Sequence, residues 1–439
     1  MRALTLFAAA AAALWAAAAQ AIDIEEVTSP GGIHAWLVNE PSLPFTALEI
    51  RFKGGSSLEA EGKRGAINLM TGLIEEGAGD LDARGFAEAR EALAASYEFD
   101  VYSDALSVSA RFLTENRDEA VDLLRLALTE PRFDPDAVER VRGQVLAGLR
   151  SDATDPQEIA GQAFMRMAYG THPYGSDDSG TPESVAALTR DDVVDAFART
   201  VARDRIYVGA VGDITADELG ALLDHLLGGL PETGAPLPPP AAVDLHGQVE
   251  VIPFASPQSV VLFGQEGMAR DDPDFFAAYI LDQIVGGSGR QSRLMDEVRE
   301  KRGLTYGIYT YLAPRELGAT WQGGVQTANA TVDEVIDLVR AEWARVEEEG
   351  VTAAELEEAK TYLTGAYPLR FDGNATVASI LVGMQMQDLS PDYVENRNSM
   401  IEAVTEADIR RVAGELARPE ALSFVVVGQP EAEVETTGG

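Results

Sequence analysis

Among its 439 residues the sequence has no cysteine, which excludes disulfides, a thiolate nucleophile and thiolate metal sites. Histidine is almost as scarce. His34, His172, His225 and His246 are the only four, and no two stand at i, i+3 or i+4, so no helix presents the paired imidazoles that bind zinc. Nucleophile elbows of the G-x-S-x-G type and Walker loops are missing too. Basic residues are outnumbered, 34 Lys and Arg against 72 Asp and Glu; the net charge of −38 excludes nucleic acid as a partner. Beyond the first twenty-one residues there is no long uninterrupted apolar run, so the expected mature chain has no transmembrane segment.

The start of the chain, "MRALTLFAAAAAALWAAAAQA", joins a basic Arg2 to an apolar run and a small-x-small end at Ala19-Gln20-Ala21. It reads as a secretory signal peptide cut after Ala21, and with the absence of cysteine it implies an exported, periplasmic protein. Hydrophobic residues make up 46% of the chain, enough for sizeable cores that need no covalent staples. The acidic excess reads first as a solvated surface, and second as a field that attracts basic peptides.

"GGLPETGAPLPPPAAVDLHG" (228–247) resists helix and central strand and divides the chain. The expected organisation is a first domain over 22–230, a linker over 231–247, a second domain over 248–432 and a frayed tail over 433–439. The two domains read alike. Each opens on alternating strand residues (45–55 and 258–267) and enters an apolar helix (66–77 and 275–287). Each then passes through a second helix to strands (82–113 and 292–312), carries a long helix around Glu119–Leu128 or Val332–Glu349, and closes on an apolar strand (205–213 and 421–430). This predicts an α+β fold, duplicated, each half a mixed or antiparallel sheet with helices on one face. His172, in "GTHPYG", reads as a turn residue, and His225 as a residue near a helix C-terminus, favoured there by the dipole.

"QIVGGSGRQSRLMDEVREKRGLTYGIYTYL" (283–312) resembles the C-terminal half of the pitrilysin/insulinase family of zinc peptidases, which includes the mitochondrial processing peptidase. "GGSSLEAEGKRGAINLMTGLIEEGAGDLDARGF" resembles the segment where active members carry the inverted zinc motif H-x-x-E-H. "SDATDPQEIAGQAFMRMAYGTHPYG" and "TVARDRIYVGAVGDI" resemble later parts of that half. Laid on H-x-x-E-H, this chain reads Ile67-Asn68-Leu69-Met70-Thr71, so the ligand and base positions Ile67, Met70 and Thr71 form a degenerate zinc motif. The distant Glu ligand falls near Ala147. Glu75 and Glu76, one turn on, are two carboxylates without an imidazole, a poor zinc site and more simply a solvated helix end.

The resemblance also implies what is retained. The family places an Arg and a Tyr seven residues apart in the C-terminal half, reaching toward a zinc site on the opposite half or subunit, and Arg299 and Tyr306 match that spacing. A Tyr hydroxyl suits the oxyanion that builds when water attacks a peptide carbonyl, and an Arg fork suits backbone carbonyls or the developing charge. On the residues alone, Tyr306 reads equally as a core tyrosine sharing a strand face with Leu304 and Ile308, and Arg299 as a surface partner of Asp296. Gly286, Gly287 and Gly289 resemble the family's Gly-rich gating loop. The implied protein is a non-catalytic, substrate-binding subunit of a heterodimeric zinc metalloendopeptidase acting on unstructured peptides. It has no cofactor of its own, zinc being expected in a homologous partner subunit with H-x-x-E-H. A scaffold or peptide-binding protein of the same fold is the rival. A stand-alone peptidase with another metal site is opposed by the distribution of histidines.

Overall fold

The computed structural model describes residues 22–287 and 291–431. The expected signal peptide (1–21), the tail (433–439) and Gly289 lie outside them. The first half runs β1 (Glu25–Thr28), β2 (His34–Asn39), β3 (Phe45–Lys53), α1 (Ala66–Thr71), β4 (Gly77–Ala78), β5 (Leu81–Asp82), α2 (Ala83–Ala92), β6 (Ser96–Val101) and β7 (Ala105–Leu113). It continues through α3 (Arg117–Thr129), α4 (Pro135–Asp152), α5 (Pro156–Tyr169), α6 (Pro182–Ala187), α7 (Arg190–Thr200), β8 (Ile206–Gly212) and α8 (Ala216–Leu227). The second half runs β9 (Val249–Pro253), β10 (Gln258–Glu266), α9 (Phe275–Val285), a π-helical turn (Met295–Glu300), β11 (Ile308–Ala313) and β12 (Thr320–Ala328). It closes with α10 (Val332–Glu349), α11 (Ala353–Ala366), α12 (Asn374–Met386), α13 (Tyr393–Ala403), α14 (Glu406–Leu416) and β13 (Ser423–Gly428).

Local chemistry explains many of the helix starts. Pro135, Pro156 and Pro182 open α4, α5 and α6, where a missing N–H costs nothing. Thr189, Thr215, Thr352 and Thr405 form capping boxes with the acid three residues on, at the heads of α7, α8, α11 and α14.

The duplication extends to topology. The first sheet has the order β1-β2-β8-β3-β7-β6 and the second β11-β12-β10-β13-β9. Read from the other end, β9-β13-β10-β12-β11 repeats β2-β8-β3-β7-β6. In each sheet one parallel pair, β2 with β8 and β9 with β13, joins otherwise antiparallel neighbours. This is the expected α+β class in two related halves. One face of each sheet packs on the helices of its own half around Leu48, Ile50 and Leu124, or around Phe263, Trp321 and Trp343.

The other faces are closed by exchange. Helix α5 of the first half lays Phe164 on Val260, Val425 and Val427 of the second sheet. Helix α12 of the second half lays Val377 and Leu381 on Trp36, Ala47 and Val211 of the first. These two helices occupy corresponding places in the repeat. The stretch between α8 and β9 has neither helix nor strand, and it runs along the seam: Ala241 donates its N–H to the Leu317 carbonyl at 2.6 Å and Asp244 to that of Ala168 at 2.8 Å. Lys53 and Glu316 pair across the halves at 2.7 Å.

Candidate functional site

The degenerate zinc motif lies on α1, between two glycines that bound an apolar run. Ile67 and Met70 are 0% exposed and Thr71 6%, all packed into the first core. Thr71 spends its hydroxyl on the Ile67 carbonyl at 2.8 Å. Core side chains therefore fill the places where ligands and base would stand, and these residues do not fit a zinc ion. Ala147 is exposed on α4 and has no donor. Glu75 and Glu76 are ion-paired, with Arg90 and Arg140. Among the described residues no cluster of three His, Asp or Glu is placed to hold a metal.

A carboxylate that the sequence reading passed over serves this helix. Glu59 accepts the Ile67 N–H at 2.9 Å and pairs with Arg64 at 3.0 Å. Burial pushes its carboxyl up to about 7, against the pull of Arg64. Arg64 also donates to the Ser56, Asp177 and Ser176 carbonyls, each at 2.8 Å, which makes the pair a brace for the head of α1. No sequence signal distinguishes Glu59 from the many surface acids.

The second constellation lies on the face of the second sheet that α5 covers, at the β11–β12 end where the start of α5 leaves a groove. Thr327 donates its hydroxyl to the Leu304 carbonyl at 2.8 Å, and Thr305 donates to the Gln326 carbonyl at 2.7 Å. The segment before β11 is thus pinned to β12 by side chains instead of a backbone ladder. Strand β11 begins only at Ile308, and Tyr306 projects from a bend, 92% exposed. That excludes the core reading of Tyr306. Its hydroxyl makes no hydrogen bond among the described residues. Arg299, on the π-helical turn, is part-buried and lies 3.8 Å from Glu300, while Asp296 pairs with Lys301 at 2.8 Å. Tyr306 lines a groove of about 350 Å³ together with Gln157, Leu262 and Tyr309; Arg299 is not part of it.

Strand alternation turns Ile308 and Thr310 to the core and Tyr309 and Tyr311 to that same face. The two rings stack with centroids 6.2 Å apart, and Tyr311 donates to Gln322 Oε1 at 3.0 Å. Across the strand, Gly324 leaves room for Tyr309, since a Cβ there would stand 2.8 Å from the Tyr309 hydroxyl. The result is a face of phenols and amides, with Val260 and Leu262 between them, under the start of α5. It offers hydrogen bonds to an extended chain and no acid–base catalyst.

The two sheet edges differ. On β11 the Thr310 N–H already donates to the Gly286 carbonyl at 2.8 Å. Gly286 and Gly287 are required by packing: Cβ atoms would stand 2.5 Å from Thr310 Oγ1 and 2.5 Å from the Gln283 Cα. On β6 the backbone outside the β7 ladder has no backbone partner among the described residues, and Glu98 and Asp100 are exposed along it. This edge runs beside α1.

Comparison with known proteins gives a consistent result. Residues 35–181 match the family model described as insulinase (peptidase family M16), and residues 187–363 match the one described as peptidase M16 inactive domain. The protein named non-peptidase homolog YmxG of Helicobacter pylori is 30% identical over 339 residues, covering 77% of this chain and 78% of its own. The probable mitochondrial-processing peptidase subunit beta of Schizosaccharomyces pombe is 24% identical, over 93% of this chain and 92% of that protein. The solved structure of a peptidase M16 inactive domain from Pseudomonas fluorescens superposes with a TM-score of 0.87 at 27% identity, covering 94% of this chain and all of the other. A protease from Helicobacter pylori, 17% identical, shares the fold with a TM-score of 0.83 over 92% of this chain and 99% of its own.

Proposed function

The chain belongs to the insulinase (M16) family as a non-catalytic member, and from that premise we propose that it is the substrate-binding subunit of a two-chain zinc metallopeptidase acting on unstructured peptides. A homologous subunit with H-x-x-E-H supplies the zinc, its ligands and the general base. This chain supplies Tyr306, whose hydroxyl donates to the peptide carbonyl oxygen as negative charge builds there, and Arg299, whose fork holds neighbouring carbonyls. The open edge of β6 takes an extended peptide as an added strand. The export signal expected in residues 1–21 makes the complex periplasmic.

The observation that carries this reading is the contrast between two sites. The ligand positions on α1 are packed shut, yet Tyr306 stands in solvent on a loop held down by two threonines. A large aromatic with an unused hydroxyl, fixed in that position, suits a surface that meets another molecule. The scaffold reading draws on Arg299, which lies 3.8 Å from Glu300 and does not line the Tyr306 groove.

The test is kinetic. Tyr306→Phe in the assembled complex is expected to lower kcat on the order of 10²-fold, as for a lost oxyanion donor, with folding unchanged. The control is Tyr102→Phe, an exposed tyrosine of the first half outside the groove. Tyr309→Phe does not serve, because Tyr309 lines the same groove as Tyr306. Equal activity of the Tyr306 and Tyr102 variants removes the catalytic contribution and leaves the scaffold. The purified chain alone is expected to hold no stoichiometric zinc by elemental analysis and to cleave no peptide; one tightly held zinc with chelator-sensitive proteolysis overturns the non-catalytic assignment.

A further inference from the structure

A second groove, of about 390 Å³, opens between β3, α9, α12 and α13. Its lining contains Arg51, Arg270, Arg370 and Arg397 and no Asp or Glu, in a chain where acids outnumber bases 72 to 34. Arg51 is answered by Glu49 at 3.1 Å and donates to Ser379 Oγ at 2.8 Å. The other three have no carboxylate partner among the described residues. Arg270 stacks over the Phe275 ring at 4.4 Å and donates to the Tyr393 hydroxyl at 2.8 Å. Arg397, 4% exposed, lies 4.2 Å over the Tyr367 ring and donates to the Leu363 carbonyl at 3.1 Å. Arg370 is exposed at the rim and makes no hydrogen bond or ion pair among the described residues.

These groups converge. Burial, and then Tyr393, raise the Tyr367 phenol to about 12, while Arg397, Arg370 and Arg270 all pull it back. Arg270 and Arg397 spend part of their N–H edges on Tyr393 and on Leu363 and Asn398, whereas the fork of Arg370, unpaired among the described residues, matches a planar carboxylate. Beside Ser379, Gln387 and the tyrosines, much of the lining is apolar, with Phe276, Leu312, Ile380 and Leu389. A bare inorganic anion would leave that surface wet, whereas an anion on an apolar body would cover it.

We propose that this groove binds a carboxylate carried on an apolar body, of which the C-terminus of a peptide ending in an aromatic or branched residue is the form that fits a peptide-handling chain. The groove is separate from the Tyr306 face, and its assignment stands whether or not Tyr306 contributes to catalysis.

Calorimetric titration of the full chain with N-acetyl-Leu-Phe as the free acid and as the C-terminal amide tests this. The acid is expected to bind at least about tenfold more tightly than the amide, and Arg370→Ala to remove most of that difference, since one charge-assisted contact is worth about this much. Gly383→Leu is expected to abolish binding with an unchanged melting temperature, because a Cβ at Gly383 points to Arg51 Nη1 at 3.8 Å. 3-Phenylpropionate separates the sources: affinity equal to the dipeptide acid assigns the site to small apolar acids, and weaker binding assigns it to peptide C-termini. Acid and amide binding alike, or neither binding at millimolar concentration, overturns the proposal and leaves the arginines as braces between the halves. Inorganic phosphate binding as tightly as the dipeptide acid also overturns it.

Discussion

Asp282 on α9 is 5% exposed and has no cation beside it among the described residues; the Thr310 hydroxyl at 2.6 Å and the Trp321 indole N–H at 2.7 Å both donate to Oδ1. Burial outweighs these bonds and pushes the carboxyl up to about 6, above the ordinary aspartate value of roughly 4. The folded state therefore binds the proton more tightly than the unfolded chain. This contribution to stability is complete below about pH 4 and is lost as pH rises through 6. Asp282→Asn keeps the acceptor and removes the titration. Across that window the wild type is expected to lose on the order of 1–3 kcal/mol relative to the variant. Chemical denaturation of both proteins at several pH values reads the difference directly, and parallel profiles sink the assignment. Glu59 titrates in both and cancels from the comparison. At this scale the sequence was informative where residue type alone decides chemistry, as in Ile67, Met70 and Thr71, which cannot hold zinc in any fold. It was uninformative where environment decides. Glu59 and Asp282 look like any surface acid, and Leu304-Tyr306-Ile308 alternates like a strand although Thr305 and Thr327 hold the first two residues outside the ladder.

Helix α10 spans the predicted Val332–Glu349, and β8 and β13 fall inside the predicted closing strands, because long periodic runs and turn residues carry their own local signal. The helix exchange carries none. An apolar stripe on α5 or α12 says that a face is buried, not which sheet buries it. Two glycines mark the exchange in the structure. A Cβ on Gly264 of β10 would stand 2.8 Å from Phe164 Cζ of α5, and one on Gly209 of β8 would stand 2.6 Å from the Ala378 carbonyl oxygen of α12. Both helices approach their sheets over a missing side chain. Gly209→Val is expected to cost roughly 1–3 kcal/mol or more, since the contact is with backbone and cannot yield by a rotamer change. Gly143→Ala, in the interior of α4 where nothing stands within 4 Å of the new methyl, is expected to stabilise by about 0.5–1 kcal/mol. Thermal melts of the two variants check both signs. If Gly209→Val melts like the wild type, α12 does not rest on β8 as described.

For the whole molecule, 72 acidic against 34 basic residues give a long-range field that falls off over about 10 Å at 0.1 M salt. A cationic peptide is expected to bind the assembled complex several-fold more weakly when salt rises from 50 to 500 mM, on the order of the screening of a few exposed charges, and a neutral peptide of equal length to be nearly unaffected. Equal salt responses would mean that the charge serves solubility alone. The arginine groove drew no notice in the sequence because Arg51, Arg270, Arg370 and Arg397 meet only after both halves have folded. The exchange of α5 and α12 also orders events in time. A first half that folds through Leu227 has all of its strands but one bare sheet face, with Trp36, Ala47 and Val211 waiting for Val377 and Leu381. The covering helix α12 lies in the other half and must fold and dock before that face is closed. Until then the chain carries an exposed apolar sheet, a surface on which holding chaperones act. A fragment ending at residue 247 is expected to aggregate when expressed alone and to become soluble when the remainder is co-expressed; a soluble, cooperatively melting fragment would show that the first half closes without its loaned helix.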